Sequence, residues 1–419
     1  MRLLIVSHTP HYLRNGLLVG WGSTIREIDH LAEIFDEVVH VAPFHKGPPE
    51  NAAAYCSSRV RVRSVPPAGG GRFLDKLAVL ARVPSYARVI VDELRRSDVV
   101  HVRCPANISL IAIVLLILMR KPRLRWVKYA GSWRSSRSEA LSYKFQRWWL
   151  NHNFHRGLVT VNGEWSEQPV HIHSFLNPCL TDDELIEARV AGLTKELSSP
   201  MRLLYVGRIE TAKGVGTILK IVARLRQKGL SVSLDLVGDG PERGVFERQS
   251  IDLDIQSITR FRGWLERSEL TPLYRRAHIL LLPSESEGWP KVVSEAMAYG
   301  AVPVASAVGS IPQYLERFGT GTALSPSDLE GYASAISDYV ENPDAWKRES
   351  VKAVEAASLF TYSNYVGSVR RMLGIVGAVG QTAHANSGDM KNSKWLETPD
   401  QLSDDLKQEL RGLVVPTNK

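Results

Sequence analysis

Short apolar runs rich in β-branched residues recur along the first 165 residues, with amphipathic stretches between several of them. One of these stretches, STIREIDHLAEIF (23–35), places Ile25, Ile28, Leu31 and Ile34 at helical spacing. Such an alternation is typical of a parallel sheet covered by helices. The pattern predicts strands at 3–6, 37–42, 59–65, 98–102, 125–130 and 157–162.

A polar segment at 188–200 interrupts this pattern, which then restarts. Further strands are predicted at 201–208, 233–238, 258–263, 278–284 and 301–306. The sequence therefore predicts an α/β protein with two Rossmann-like, doubly wound domains at 1–187 and 201–358, joined by a linker at 188–200. Two such sheets that face each other leave a cleft at their carboxyl edges, where ligands bind in this architecture.

The end of the chain divides into a helix and a polar remainder. Residues 359–377 contain the helical pattern FTYSNYVGSVRRML. Residues 378–419 are polar and poorly periodic, with a final helix predicted near DDLKQELRGLV.

Composition places the chain among folded globular proteins, since 44% of its residues are hydrophobic and 23% are charged. Three widely spaced cysteines and an N-terminus without the features of a secretory signal favour a reducing, cytoplasmic location. The most apolar stretch, 108–119, is short against the roughly 20 residues that span a bilayer. We interpret it as a core helix, and an element that dips into a membrane face is the alternative.

The net charge of +8 is unevenly distributed. Residues 51–160 hold 20 Lys and Arg against 5 Asp and Glu. Such an excess favours an anionic partner: a phosphorylated acceptor, an acidic lipid surface at the inner face of the membrane, or a nucleic acid. No nucleic-acid-binding module is recognisable, so we expect no nucleic-acid partner. A merely solvated basic face remains the alternative.

Two glutamates lie eight residues apart in SESEGWPKVVSEAMAYG (284–300), directly after an apolar strand. Glu287 is placed at the carboxyl edge of the second sheet, and Pro290 suits the first position of the following helix. Glu295 lies further along that helix and can face the same cleft. A helix N-terminus is also a site for anions or hydroxyls. The backbone amides free to donate there are those of Gly288, Trp289 and Lys291.

A second candidate cluster lies in LLYVGRIETAKGVG (203–216). A strand ends at Gly207, Arg208 follows directly, and Lys213 with Gly214 opens the next helix. Two cations beside a glycine that permits close backbone approach suit a diphosphate. Surface cations without a ligand are the alternative for this pair.

These segments, together with LVGDGPER and the stretch from FRGWLERSEL to GSIPQYL, resemble the C-terminal half of glycosyltransferase family 4. The resemblance is specific over about residues 201–315 and looser over the N-terminal half. It implies a retaining, hexosyltransferase-type enzyme of the GT-B fold that uses a UDP- or GDP-sugar. It also implies that the helix at 360–373 crosses back to the first domain.

The resemblance further implies roles for individual residues. Arg208 and Lys213 would neutralise the donor diphosphate, Glu287 would contact the transferred sugar, and Glu295 would bind the ribose. The backbone amides of Trp289 and Lys291 would donate hydrogen bonds to the sugar hydroxyls or to the phosphate. Glycines are expected around the donor at Gly22, Gly207, Gly238, Gly263 and Gly288.

The chain departs from the family at two positions. Relatives often carry a histidine after the strand in WVKYAGSW, where Ala130 or Gly131 stands here. His101 is a candidate for the acceptor side, with a buried core histidine as the alternative. The second departure is Gln313, where relatives often have Glu.

The expected mechanism follows from this layout. Fixed cations and helix N-termini would stabilise the charge that develops on the departing diphosphate, so no metal and no cofactor besides the nucleotide sugar is expected. The apolar stretch beside RKPRLRWVK favours a lipid-linked or polysaccharide acceptor in bacterial surface-glycan synthesis. A glycosidase, a sugar-nucleotide epimerase and an inactive nucleotide-sugar-binding scaffold are the rival functions.

Overall fold

Two parallel sheets form the frame of the protein, one before and one after residue 200. The computed structural model describes residues 1–49, 52–67, 73–134 and 139–375, without the side chains of 73–80. The predicted tail at 378–419 lies outside the described residues. The prediction of two Rossmann-like domains in a GT-B arrangement is confirmed by the sheets and by the solved structures compared below.

The first sheet has seven strands, all parallel, in the order β10-β9-β8-β7-β1-β4-β6. Its strands are apolar and mostly buried, as expected of a sheet covered on both faces, except for the edge strand β6, whose residues are largely exposed. Their bounds are β1 (Arg2–Val6), β4 (Glu37–Pro43), β6 (Val60–Val65), β7 (Val99–Cys104), β8 (Leu124–Tyr129), β9 (Leu158–Val161) and β10 (Ile172–Ser174).

A small antiparallel sheet, which hydrophobic periodicity did not predict, lies beside it. It consists of β2 (His11–Arg14), β3 (Leu17–Trp21) and β5 (Ala52–Ala54). The turn between β2 and β3 is Asn15-Gly16, and both residues have positive φ. An Asn-Gly pair between apolar residues is a strong hairpin signal, so this element was available from turn chemistry.

Four helices pack around the first sheet. They are α1 (Gly22–Leu31), α2 (Phe73–Arg96), α3 (Asn107–Leu118) and α4 (Leu141–Asn151). The stretch predicted as an apolar core helix, 108–119, is α3, and its buried face packs into the core of this domain. Among the described residues no helix is both long enough and apolar enough to cross a membrane.

The second sheet has six parallel strands in the order β13-β12-β11-β14-β15-β16. Its strands are β11 (Met201–Val206), β12 (Val232–Val237), β13 (Thr259–Gly263), β14 (Ile279–Leu282), β15 (Val302–Ser306) and β16 (Thr322–Leu324). Its helices are α6 (Val215–Gln227), α7 (Arg243–Asp252), α8 (Arg267–Arg276), α9 (Lys291–Ala298), α10 (Ile311–Phe318), α11 (Leu329–Glu341) and α12 (Pro343–Ala357).

The predicted linker at 188–200 begins inside a helix instead. Helix α5 (Asp182–Leu193) starts at a capping box in which Thr181 and Glu184 satisfy each other's backbone amides. Gly192 near its end packs so closely on the second domain that a Cβ atom there would lie 2.6 Å from Val354. The polar composition reflects the exposed side of α5, and the shorter connection follows at 194–200.

The last described helix, α13 (Tyr362–Leu373), returns to the first domain. Its residues Tyr365, Val366, Val369 and Leu373 join a core cluster with residues of β1, α1 and β7. Strand β1 lies inside the first sheet between β7 and β4, so this helix packs residues from after the second domain against the first strand of the chain.

Candidate active site

The two sheets meet at their carboxyl edges. Gly288, after β14, lies so close to the first domain that a Cβ atom there would be 2.4 Å from the carbonyl oxygen of Ala130 and 2.9 Å from Nδ2 of Asn162. Ala130 follows β8 and Asn162 follows β9. The position at which relatives often carry a histidine therefore presents a backbone carbonyl to Gly288, directly beside Glu287.

Lys213 and Glu287 form the central ion pair of this edge. The Nζ of Lys213 lies 2.6 Å from Oε1 of Glu287, and the side chains are 29% and 14% exposed. Their loops are held together, because the amide of Glu285 donates to the carbonyl of Ala212 at 3.0 Å. The chain thus joins the ends of the neighbouring strands β11 and β14 through one cation and one carboxylate.

Arg208 occupies a more open position at the same edge. It follows Gly207 at the end of β11, and its side chain is 68% exposed, with Nη2 3.2 Å from Glu210. Its backbone is fixed, since the hydroxyl of Tyr205 donates to the Arg208 carbonyl at 2.6 Å. The guanidinium can therefore turn toward an anion bound near Lys213.

Three of the predicted glycines are in contact. Gly238 has a φ of +125°, and a Cβ atom there would lie 1.9 Å from the carbonyl oxygen of Gly207. The Gly238 amide donates to the carbonyl of Gly263 at 2.8 Å. The ends of β11, β12 and β13 therefore meet through glycines, whose lack of side chains leaves backbone accessible to a ligand.

The start of α9 is anchored by Trp289. Its indole is 3% exposed, stacks on Phe360 with ring centroids 5.5 Å apart, and donates from Nε1 to Oγ of Ser294 at 2.7 Å. The indole of Trp289 is therefore not available to a ligand, which could form hydrogen bonds only with its backbone. Pro290 does not occupy the first helical position as predicted, because its ψ of 126° is extended and α9 begins at Lys291.

Lys291 reaches across to the first domain. Its Nζ lies 3.2 Å from Oε2 of Glu27 and 3.5 Å from the carbonyl oxygen of Ser23. Both residues are in the first turns of α1, which begins at Gly22. The N-terminal turns of α1 and α9, one from each domain, are thus brought together. The two predicted donor-binding segments around Gly22 and Lys291 are neighbours.

Glu27 is the centre of a buried charge cluster that the sequence did not reveal. Its side chain is 0% exposed, and its Oε1 accepts from Arg103 and Lys128 at 2.7 Å each and from the Tyr365 hydroxyl at 3.0 Å. With Lys291, three cations share one carboxylate. In the sequence, Glu27 looks like one more polar position of an amphipathic helix.

These charges change the titration of the cluster. Burial by itself would raise the pKa of Glu27, but Arg103, Lys128 and Lys291 hold that pKa well below its ordinary value. Burial lowers the pKa of Lys128 to about 7, with Glu27 opposing the shift and the charges of Arg103 and Lys291 adding to it. The cluster joins α1, the first sheet, α9 and α13 through one carboxylate.

Glu295 lies one turn after Lys291 in α9 and is held by residues of α8. It accepts from Nη1 of Arg267 at 3.1 Å and from the Tyr274 hydroxyl at 2.8 Å, and it is 13% exposed. Arg267 also binds Glu184, which lies 2.6 Å from Nη2 of Arg26 in α1. Glu295 therefore belongs to a series of ion pairs that runs from α8 to the first domain. The sequence did not predict Arg267 as a partner of Glu295.

Gln313 contributes to the domain interface. Its Oε1 accepts from the backbone amide of Glu164 at 2.8 Å, and the neighbouring Tyr314 hydroxyl accepts from the amide of Gly163 at 2.8 Å. Arg317, one turn later, lies 3.2 Å from the Glu164 carboxylate. A glutamate at 313 would place a second acidic group near Glu164, whereas the amide does not.

His101 lies inside the first domain, as its buried alternative predicted. It is 0% exposed, and its ring lies 3.6 Å from that of Trp126, centroid to centroid. Burial, followed by the charges of Arg103 and Lys128, lowers its pKa well below the ordinary value. The imidazole is therefore neutral and enclosed, and it does not reach the surface of the cleft.

A different histidine, His8, is exposed at the carboxyl end of β1. Its neighbours in the chain, Ser7 and Thr9, are buried. The next strand, β7, carries Arg103 near the same edge. Part of His8 is exposed, but desolvation of the part that neighbouring atoms cover lowers its pKa, and the charge of Arg103 adds to this shift. Its position after a central apolar strand could have identified it from the sequence.

A buried hydrogen-bond ring fixes the loop that carries His8. The Thr9 amide donates to Oγ of Ser7 at 3.1 Å, and that hydroxyl lies 2.7 Å from Nε2 of His40. The Tyr55 hydroxyl lies 2.7 Å from Nδ1 of His40 and 2.9 Å from Nε2 of His11. Nδ1 of His11 closes the ring at the Thr9 carbonyl, 3.0 Å away.

Comparison with known proteins identifies the second domain. Residues 195–357 match the family model of Glycosyl transferases group 1. A glycogen synthase of Mycobacterium tuberculosis is 33% identical over 153 residues, which are 36% of this chain and 37% of that protein. A D-inositol 3-phosphate glycosyltransferase of Streptomyces coelicolor is 28% identical over 182 residues, 41% of this chain and 39% of that protein. The chain spans about two fifths of the length of these relatives.

Solved structures extend the similarity over both domains. Sucrose-phosphate synthase from Thermosynechococcus elongatus superposes with a TM-score of 0.67 at 19% identity, covering 89% of this chain and 99% of that one. Anabaena HepE in complex with UDP has a TM-score of 0.61 at 15% identity, covering 90% and 100%. At these identities the likeness establishes the fold, which is GT-B.

Proposed function

We propose that this chain, which carries a glycosyl transferases group 1 domain on a GT-B fold, transfers a sugar from a nucleoside diphosphate to an acceptor with retention of configuration. The observation that supports it is the meeting of Lys213, Glu287 and the start of α9 at the edge where the two domains face each other. A glycosidase would leave Lys213 and Arg208 without a role.

In this proposal the donor lies across the carboxyl edge of the second sheet. Arg208 and Lys213 bind the diphosphate, whose negative charge grows as the bond to the sugar breaks. Glu287 accepts hydrogen bonds from the sugar, and Glu295 from the ribose. Gly207, Gly238 and Gly263 carry no side chains and so leave space for the nucleoside.

Bond breaking on the donor needs no nucleophile from the protein. The acceptor hydroxyl attacks from the side that the diphosphate leaves, and its proton passes to the departing phosphate oxygen. The new bond then has the configuration of the old one. Ala130 presents a carbonyl where relatives often have a histidine, and we expect acceptor recognition to depend on His8 and other groups of the first domain.

We further propose a UDP- or GDP-sugar as donor and a lipid-linked or polysaccharide acceptor in bacterial surface-glycan synthesis. The UDP complex of the structurally similar Anabaena protein supports a nucleoside diphosphate. A lipopolysaccharide core biosynthesis glycosyltransferase of Rhizobium meliloti, 32% identical over 139 residues (33% of this chain and 39% of that protein), supports a surface glycan.

The test begins with thermal unfolding of the purified protein in the presence of individual nucleotide sugars. A ligand at 100 times its dissociation constant stabilises the folded state by about 2.7 kcal/mol. The stabilising donor is then supplied with candidate acceptors, and the anomeric configuration of the product is determined by NMR.

Arg208→Ala should lose donor-dependent stabilisation and transfer, while Arg226→Ala, which removes an exposed arginine paired with Asp254, should keep both. Stabilisation without turnover by any acceptor would favour the scaffold. Release of an epimerised nucleotide sugar in the absence of an acceptor would favour the epimerase. Inversion in the product would contradict the proposed stereochemistry.

A further inference from the structure

Helix α4 exposes the apolar side chains that a helix of a globular protein normally buries. Leu141, Phe145 and Trp148 lie at helical spacing on one face and are 81%, 40% and 48% exposed. The opposite face buries the polar Gln146 and Arg147 together with Leu150. Helix α4 therefore leaves an apolar stripe exposed, while two polar side chains occupy part of its buried face.

Specific polar contacts hold α4 in this orientation. Oε1 of Gln146 accepts from the amide of Ala106 at 3.2 Å. Arg147 forms a two-pronged ion pair with Glu139 and donates to the Tyr129 hydroxyl at 3.2 Å. Rotation of α4 to bury its aromatic rings would leave these buried polar groups unpaired, at a cost of about 1–3 kcal/mol for each.

The exposed rings form a cluster that continues past the end of α4. The Trp148 ring lies 5.6 Å from that of Phe145, 5.0 Å from that of His152 and 5.4 Å from that of Phe154, measured between centroids. Phe154 is 37% exposed. We call Leu141, Phe145, Trp148 and Phe154 the aromatic face. A contiguous exposed apolar surface of this kind marks an interaction site.

Basic residues lie near one end of the aromatic face. Residues 101–160 hold 11 Lys and Arg but only one acidic residue, Glu139, which is already paired with Arg147. The guanidinium of Arg125 donates to the carbonyls of Leu116, Met119 and His155, so the end of α3 adjoins the loop after α4. This junction brings together the exposed residues Leu118, Arg120, Lys121, Arg123 and Arg156.

We propose that the aromatic face binds the protein to the surface of a membrane that contains anionic lipids. Tryptophan and phenylalanine insert their rings at the lipid headgroup boundary, and nearby Lys and Arg bind anionic headgroups. A second copy of this chain is a poorer occupant, since it would bring the same excess of positive charge against itself. The aliphatic Leu141 and Leu118 fit hydrocarbon better than they fit nucleic-acid bases.

The proposal rests on the proposed function only in that a lipid-linked acceptor would be found at this surface. The aromatic face belongs to the first domain, and none of its residues contributes to the Lys213–Glu287 site. Membrane binding can therefore be measured without transfer, and transfer to a water-soluble acceptor without membranes.

The experiment is co-sedimentation of the full chain with phosphatidylcholine vesicles, with and without phosphatidylglycerol. We expect binding to the anionic vesicles that weakens as salt is added. The double variant Phe145→Ser/Trp148→Ser should bind at least about tenfold more weakly, because two rings no longer enter the headgroup region. The matched control, Val245→Ser/Ile251→Ser, removes two exposed apolar side chains of α7 and should bind like the unchanged chain.

Circular dichroism and activity on a soluble acceptor or donor should be the same for the double variant and the unchanged chain. Failure of transfer in both proteins would speak against the proposed function and leave vesicle binding as a separate result. Equal vesicle binding by the double variant, or none by the unchanged chain, would overturn the docking proposal. A dimer or a bound nucleic acid that is present in the unchanged chain and absent from the double variant would also overturn it.

Discussion

Lys213 and Glu287, 74 positions apart in the sequence, are joined by a hydrogen-bonded ion pair of 2.6 Å at the carboxyl edge of the second sheet. The pairing follows from the order of the strands, because β11 and β14 are neighbours although two strands separate them in the chain. In the proposed function, Lys213 binds the leaving group and Glu287 contacts the sugar, and several expectations depend on this pairing.

Lys213→Met tests the cation. We expect the dissociation constant for UDP or GDP to rise about 10- to 100-fold, since a hydrogen bond to a charged group contributes roughly 1.5–3 kcal/mol. Isothermal titration calorimetry measures this constant. Lys220→Met, on the exposed side of α6, is the control and should not change it. Equal affinity in both variants would remove Lys213 from the donor site.

Glu287→Gln tests the carboxylate. The side chain keeps its size but loses its charge, so we expect kcat to fall about 100-fold while nucleotide affinity changes little. Steady-state kinetics with the best donor check this expectation. Glu285→Gln, an exposed position two residues earlier, should retain normal turnover. A variant at 287 with full kcat would show that this carboxylate has no part in the reaction.

Gly288→Ala tests the contact between the domains. A methyl group there would lie 2.4 Å from the Ala130 carbonyl oxygen, and relieving that overlap should cost about 1–3 kcal/mol. We expect a lower unfolding free energy and lower transfer activity. At Gly244 a Cβ atom would meet nothing within 4 Å. Gly244→Ala should therefore be neutral or stabilise by up to about 1 kcal/mol, and denaturant titration compares the two.

The pH dependence of stability tests the Glu27 cluster. The pKa of Lys128 is about 7 in the folded protein and near 10.5 when the chain is unfolded, so between these values the unfolded state binds more protons. The free energy of unfolding should therefore rise as the pH increases from about 7 to about 10. In Lys128→Met this contribution is absent, while that of Lys195, whose burial also lowers its pKa to about 7, remains.

Denaturant titrations of both proteins across this pH range provide the comparison. The stability of the unchanged chain relative to Lys128→Met should increase with pH. A difference that is constant with pH would mean that Lys128 keeps its proton in the cluster throughout. Buffers of constant ionic strength separate this effect from screening.

Metal removal tests the electrostatic part of the mechanism. If Arg208, Lys213 and the α9 amides balance the leaving diphosphate, transfer should persist in EDTA at close to its full rate. The measurement is initial rate with and without the chelator, followed by addition of Mg²⁺ or Mn²⁺. Activity lost in EDTA and restored by a divalent ion would contradict the expectation.

Much of the frame could be predicted locally. The eleven predicted strands all correspond to strands of the two parallel sheets. Most are continuous apolar runs, as is usual for buried strands of an α/β fold, whereas β6 and β13 alternate apolar with charged residues. The hairpin at Asn15-Gly16 is encoded by its turn residues, which hydrophobic periodicity does not detect. The start of α9 was misplaced by one residue, since Pro290 is compatible both with the first helical position and with the extended residue before it.

The candidate site was predicted in part. Arg208, Lys213, Glu287 and Glu295 could be assigned to strand ends and a helix start, which local pattern specifies. The partners of these residues could not. Arg267, which binds Glu295, and Lys128, which binds Glu27, appear in the sequence as ordinary charged positions.

By itself, the sequence determined eleven strands of the two parallel sheets and which loops lie at their carboxyl edges, because those features depend on residues close together in the chain. Tertiary structure alone decided that His101 is enclosed while His8 is exposed, that Glu27 gathers three cations, and that α4 turns its rings outward. Each of these depends on which distant residues become neighbours and on whether water is excluded from them. The strand order and the contact between the domains decide which residues become neighbours, and local periodicity does not encode either of them.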